Sequence, residues 1–113
     1  MKEKLYRVSA MLSLRGGMSV TATEYDIIGG GDLTFSVMTK LNEKRRIRKE
    51  DLMTIDTKVN NGPTRIAFFT WCMPNDVVAA KALAQNAVSS YLSSMESNIK
   101  TMRTHCAEFV RNK

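Results

Sequence analysis

Residues 74–110 read PNDVVAAKALAQNAVSSYLSSMESNIKTMRTHCAEFV, and this stretch decides the fold. Its apolar residues recur every three or four positions, which places them on one side of a single helix. They are Val77, Ala80, Ala84, Val88, Tyr91 or Leu92, Met95, Ile99, Met102, Cys106 and Phe109. Pro74, Asn75 and Asp76 supply the proline and the capping side chains that are typical of a helix start. The pattern therefore predicts a helical segment over residues 74–113.

The length of this helix predicts an apolar surface that its own domain does not cover. About 35 helical residues extend roughly 50 Å, whereas a compact domain of this size has a radius of gyration of about 13 Å. From Met95 to Phe109 the apolar steps follow the heptad rhythm of a helix that meets another helix. We therefore expect a homo-oligomer, a dimer or a larger assembly, joined through the helix. The alternative is a break at the serine-rich residues 93–97, which would let two shorter helices fold back onto the sheet.

Residues 1–73 alternate apolar and polar side chains with the period of β-strands. The alternation predicts a first strand over Tyr6–Leu14, a glycine turn at residues 15–18 and a second strand over Ser19–Ile28. The glycines at 29–31 predict a break before a third strand that starts at Leu33. Arg65–Met73 is apolar on both faces, which favours a central strand. The fold class expected is α+β, a single domain with an antiparallel meander of four or five strands followed by the long helix.

The connection between the third strand and Arg65 is less regular. Lys49–Leu52 is predicted to form one helical turn, after which Met53, Ile55 and Val59 resume the alternation. Residues 60–63, Asn-Asn-Gly-Pro, predict a turn.

Composition points to a globular protein with an anionic partner. The 113 residues include 17 basic and 11 acidic side chains, a net charge of +6, and 43% are hydrophobic. No run has the length of a membrane span, and the first seven residues lack the apolar core of a signal peptide. We expect a cytoplasmic protein, in the host cytoplasm if the chain is viral. The positive charge favours a nucleotide, a nucleic acid or an acidic protein surface.

No catalytic or metal-binding constellation is found in the sequence. Cys72 and Cys106 are too few for a disulfide framework or a zinc site, so each is expected as a reduced, buried thiol rather than as a bridge. His105 is the single histidine, and its neighbour on a helix points about 100° away from it. We expect no cofactor, no metal and no enzymatic activity.

Two features are candidates for ligand binding. Residues 40–49 carry six basic side chains against Glu43 alone, a net charge of +5, and are expected at one end of a hairpin. Their candidates for contact with phosphate or nucleic acid are Lys44, Arg45, Arg46 and Arg48. The alternative for this cluster is a solvated loop.

The second feature is the aromatic run of the strand before the helix. Alternation places Phe68 on one face with Ile66, and Phe69 with Trp71 on the other; one face is expected to pack under the helix. An aromatic face beside arginines can stack a base while the cations hold its phosphate. Core packing on both faces, through an oligomer, is the alternative. The ligand-binding residues predicted are Arg65, Phe69, Trp71, Asn75 and Arg103.

The layout resembles the phage-encoded Thoeris anti-defence sponges. The resemblance covers the meander at 5–73, the strand end Phe68-Phe69-Thr70-Trp71-Cys72 and the helix at 75–110 with Arg103. It implies an oligomeric, non-enzymatic phage protein that sequesters an anionic cyclic nucleotide signal at a pocket between subunits and so inhibits host defence. The alternatives are a small basic protein that binds nucleic acid or inhibits a host protein through residues 44–49, and a purely structural oligomer.

Overall fold

The computed structural model describes residues 3–56, 61–62 and 64–112. Five strands are followed by one long helix: β1 (Lys4–Ser13), β2 (Gly17–Gly30), β3 (Thr34–Met38), β4 (Lys44–Arg48), β5 (Arg65–Cys72) and α1 (Val77–Arg111). A short 3-10 helix at Lys49–Asp51 precedes the connection at residues 52–56. A second one at Pro74–Asp76 precedes α1. The predicted α+β class, with an antiparallel sheet before a long helix, is confirmed.

The strands lie in the order β4-β3-β2-β1-β5, and every neighbouring pair is antiparallel. β1 to β4 form the meander, and β5 returns to pair with β1. The predicted break at Gly29 is a register shift inside β2, which continues to Gly30. A side chain at Gly30 would place its Cβ 2.5 Å from the carbonyl oxygen of Thr34, and φ is +148° there, so glycine fits this position.

β5 lies at an edge of the sheet, so the prediction that it is a central strand is wrong. Its outer edge is nevertheless occupied by the preceding connection. The amides of Met53 and Asp56 donate to the carbonyls of Trp71 and Phe69, at 2.8 and 3.0 Å. Further along, the Gly62 amide donates to Arg65 O, and the Ala67 amide donates to Asn61 Oδ1. Because both faces of β5 are also covered, its sequence looks like that of a central strand. Val59, Asn60 and Pro63 of the predicted connection lie outside the described residues.

One face of the sheet packs against α1. Val8 and Ala10 of β1 and Ile66 of β5 form a buried cluster with a helix stripe that is led by small residues. The buried residues of that stripe are Ala80, Ala84 and Val88. Phe68 lies on this face, where its ring meets Tyr91 edge-on at 5.9 Å between centroids. The prediction that one aromatic face packs under the helix is therefore confirmed.

On its other face, the sheet curls around a second buried cluster. Ile47 of β4 and Trp71 of β5 belong to strands at opposite ends of the strand order, yet they share one buried cluster with Leu5 and Val37. The sheet therefore curls until its two edge strands approach each other, and this concave face holds a second core. Odd-numbered residues of β1 and β5 point into it.

α1 is one unbroken helix of 35 residues, with no break at 93–97. Its last buried residue is Val88, and every described residue from 96 to 112 is exposed. The molecule measures 70 × 28 × 26 Å as a result. The predicted overhang is thus confirmed. Both cysteines are free thiols, as expected, but Cys106 lies on the overhang and is exposed, so its predicted burial is wrong.

Candidate anion-binding cavity

A cavity of about 530 Å³ opens where β4 approaches β5 on the concave side of the curled sheet. Three segments line it. β4 contributes Arg45, Arg46 and Arg48, the connection contributes Asp51 and Asp56, and β5 contributes Phe69 and Trp71. The volume falls within the range of about 300–1,000 Å³ that is typical of small-molecule sites. We call this space the β4–β5 cavity.

The arginines of the cavity come from a strand rather than from the end of a hairpin. The turn at residues 39–43 brings the chain back, and Lys44–Arg48 then form β4 along the edge of the sheet. Ile47 anchors this strand in the second core, at 5% exposure, while the four basic residues of β4 stay exposed. The strand therefore presents guanidinium groups at the cavity without burying their charge.

Trp71 is a core residue. It is 6% exposed, its ring lies 5.3 Å from that of Tyr25, and the guanidinium carbon of Arg45 lies 5.7 Å from its centroid. Its indole therefore packs against Arg45 and the second core, and little of the ring is free to stack on a ligand. Phe69 is only partly buried and faces the cavity. Of the two aromatic residues predicted for stacking, Phe69 is the accessible one.

Arg7 is a functional candidate that the sequence analysis missed. On β1 it lies opposite Trp71 in the strand pairing, and its guanidinium carbon lies 4.1 Å above the centre of the Phe69 ring. Its Nε is buried and makes no hydrogen bond to any described residue. A buried guanidinium nitrogen without an acceptor is costly. Because this nitrogen is closed to solvent and Arg7 does not line the cavity, the role of Arg7 is to support the Phe69 ring. Arg7 alternates with the apolar residues of β1, so the sequence pattern alone gives no sign that its side chain turns inward.

The cavity carries both signs of charge. Arg48 pairs with Glu50 at 3.3 Å, but both side chains are largely exposed, and such pairs contribute little. The carboxylates of Asp51 and Asp56 accept hydrogen bonds but do not donate them. A ligand that offers an anion to the arginines and a hydrogen-bond donor to Asp51 would match this lining. Nucleotides have this combination, because their phosphates are anionic and most of their bases carry amino groups.

The structure does not bring all predicted site residues together. Arg65 is exposed at the start of β5, Asn75 is exposed in the 3-10 helix before α1, and Arg103 is exposed on the overhang. None of these three lines the β4–β5 cavity, nor does Lys44. Arg45, Arg46, Arg48, Phe69 and Trp71 all do. The predicted phosphate cluster and the predicted aromatic strand thus meet in one cavity.

Two kinds of feature are absent from the described residues. Within the described ranges, no group of three or more histidine, cysteine, aspartate or glutamate side chains is placed to hold a metal ion. In the same part of the chain, no helix is long and apolar enough to cross a membrane.

Comparison with known proteins yields no matching family model, no matching curated protein and no matching solved structure.

Proposed function

We propose that this chain is a non-enzymatic binding protein that holds a nucleotide-type anion in the β4–β5 cavity. The observation that carries the proposal is the meeting of the β4 arginines with Phe69 in one cavity of nucleotide size. Arg7 lies outside the cavity lining and supports the Phe69 ring. The proposed site lies within a single chain, whereas the resemblance implies a pocket between subunits. In an anti-defence role, as the resemblance to phage sponges implies, such a protein would sequester the nucleotide and leave it intact.

Each group has a distinct part in binding. Arg45 and Arg46 would hold phosphate oxygens, since guanidinium forks match phosphate geometry. The base would stack on Phe69, whose ring Arg7 already fixes from one side, and stacking of this kind contributes about 1–3 kcal/mol per base. Asp51 would accept a hydrogen bond from an amino group of the base.

The test is a titration of the purified chain with a panel of linear and cyclic nucleotides by isothermal calorimetry. Arg46→Ala removes one charge-assisted contact of about 1.5–3 kcal/mol, so affinity should fall about tenfold to a hundredfold. Arg15→Ala removes the same charge from the β1–β2 turn, away from the cavity, and should bind as the wild type does. Chromatography of the released ligand should recover it unchanged.

Two outcomes would contradict the proposal. One is a panel in which no nucleotide binds. The other is equal weakening by Arg46→Ala and Arg15→Ala, because net charge rather than the cavity would then govern affinity.

A second candidate function is nucleic-acid binding along β4. It is favoured by the exposure of Lys44, Arg45, Arg46 and Arg48 on one edge strand. Contact with several phosphates releases several counterions, so this affinity should fall steeply with added salt. A single nucleotide in the cavity should respond much less. Fluorescence anisotropy with labelled oligonucleotides over a salt series separates the two functions.

A further inference from the structure

The overhang of α1 continues the apolar stripe that packs on the sheet. After Val88 the stripe proceeds through Leu92 and Met95, which are half-buried, to Ile99 and Met102, which are 42% and 61% exposed. It ends with Cys106 and Phe109. One helix face therefore changes from buried to solvated without any change in its apolar pattern, and such a face is typical of an interaction surface.

We propose that a second copy of this chain covers this stripe as an antiparallel helix pair. In the register that we infer, Ile99 packs against Met102 of the partner subunit. Leu92 and Met95 already contact the sheet of their own chain on one side, and their remaining exposed surface meets Phe109 and Cys106 of the partner subunit. Each contact occurs twice, because a two-fold axis relates identical surfaces. The paired segments run from residue 92 to residue 109, about 26 Å of helix.

The position of the sheet decides the orientation. Ala80, Ala84 and Val88 lie on the same stripe as Ile99 and already contact the sheet of their own chain. In a parallel pair, both sheets would lie between the two helices. Packed helices are about 8–10 Å apart, whereas two stacked sheets alone are separated by about 10 Å. The antiparallel pair avoids this conflict, because it places the two sheets at opposite ends.

The charges beside the stripe favour the same orientation. Glu96 and Arg103 lie on one flank, seven residues apart and therefore about 10 Å apart along their own helix. In the antiparallel register, Glu96 of each chain meets Arg103 of the partner subunit. In a parallel pair, Arg103 would meet Asn98 of the partner subunit, and no ion pair would form. Flanking charges of this kind set orientation in helix pairs.

This inference does not rest on the proposed function. The stripe continues the face that α1 turns to the sheet, whereas the β4–β5 cavity opens on the concave side. A dimer of this form leaves both cavities accessible, so ligand binding and assembly are separable in experiments.

The first experiment measures the mass of the full chain by analytical ultracentrifugation over a range of concentrations. The wild type should form a dimer of the 12.7 kDa chain that dissociates on dilution. Met102→Glu places a charge beside the two-fold axis and should give a monomer with unchanged circular dichroism. Ala107→Glu adds the same charge about 120° around the helix from the stripe and should remain dimeric. A wild type that is monomeric at every concentration overturns the inference.

The second experiment tests orientation through disulfide trapping with diamide, which accepts the two electrons and two protons released when two thiols join. Met95→Cys should give a covalent dimer through Cys106 of the partner subunit. The wild type should not, because the two Cys106 residues would be about 16 Å apart along the axis, beyond the roughly 7 Å that a disulfide spans. Crosslinking of the wild type would show a parallel pair and overturn the inference.

A charge exchange tests the register without new thiols. Glu96→Arg and Arg103→Glu should each weaken the dimer, and the double variant should restore it. Failure of the double variant to recover, with both singles weakened, contradicts the proposed register.

Discussion

Replacement of Trp71 tests whether the curled sheet has a second core. The indole is 6% exposed and packs beside Tyr25, Leu5 and Ile47. A tryptophan side chain buries about 150–250 Å², which at about 25 cal/mol per Å² corresponds to roughly 4–6 kcal/mol of transfer free energy. Trp71→Ala keeps the Cβ, so the free energy of unfolding should fall by about 3–5 kcal/mol. That loss is a large share of the 5–15 kcal/mol typical of a domain.

The assay is urea unfolding followed by far-ultraviolet circular dichroism, since Trp71 is the single tryptophan and its replacement removes the fluorescence signal. Trp71→Phe keeps one ring in place and should lose only about 1–2 kcal/mol, which provides a measurable variant if the alanine variant does not fold. Leu33→Ala removes a side chain that is 79% exposed, and its effect should lie within about 0.5 kcal/mol. A loss below about 1 kcal/mol for Trp71→Ala, at an unchanged denaturant slope, would refute the assignment of Trp71 to a core.

Two further predictions concern the helix face and the thiols. A double-mutant cycle on Phe68 and Tyr91, whose rings meet at 66°, should give a coupling free energy of about 0.5–1.5 kcal/mol; a value near zero would mean that the rings do not interact. Burial raises the pKa of the Cys72 thiol, so a higher pH is needed to form its reactive thiolate. Iodoacetamide at mildly alkaline pH, with mass spectrometry of the dilute protein, should therefore label the exposed Cys106 and spare Cys72 until urea is added. Equal labelling of both cysteines in the folded protein would contradict this placement.

The local structure could be predicted from the sequence because it depends on short-range periodicity. The alternation in Tyr6–Leu14 located β1, and the regular apolar steps located α1 and its overhang. The same reasoning divided Phe68 from Phe69 between the two faces of β5. These features need only the period of the side chains and the length of the segment.

The pairing of the strands and the curvature of the sheet could not be predicted in this way, because they depend on contacts between residues distant in the sequence. Alternation alone does not distinguish a central strand from an edge strand whose backbone is bonded by a neighbouring connection, and β5 is of the second kind. Nor does it show that the sheet curls, which is what buries Trp71 and turns Arg7 inward. The candidate site was therefore predicted only in part. Its arginines and Phe69 were recognised by residue type, while the two aspartates and the support of Phe69 by Arg7 depend on the curl.

The two edge strands of the sheet, β4 and β5, are both protected from pairing with other molecules, which opposes aggregation. An unpaired edge strand exposes backbone amides and carbonyls that can bond to a strand of another molecule. Segments such as Ile66-Ala67-Phe68-Phe69-Thr70-Trp71-Cys72 are prone to aggregate when they are exposed in this way. Here that segment is shielded by hydrogen bonds with Met53, Asp56 and Asn61. The far margin carries the sequence Lys-Arg-Arg-Ile-Arg, whose like charges repel a second copy of itself. Strand exchange between molecules is thus opposed at both ends of the sheet.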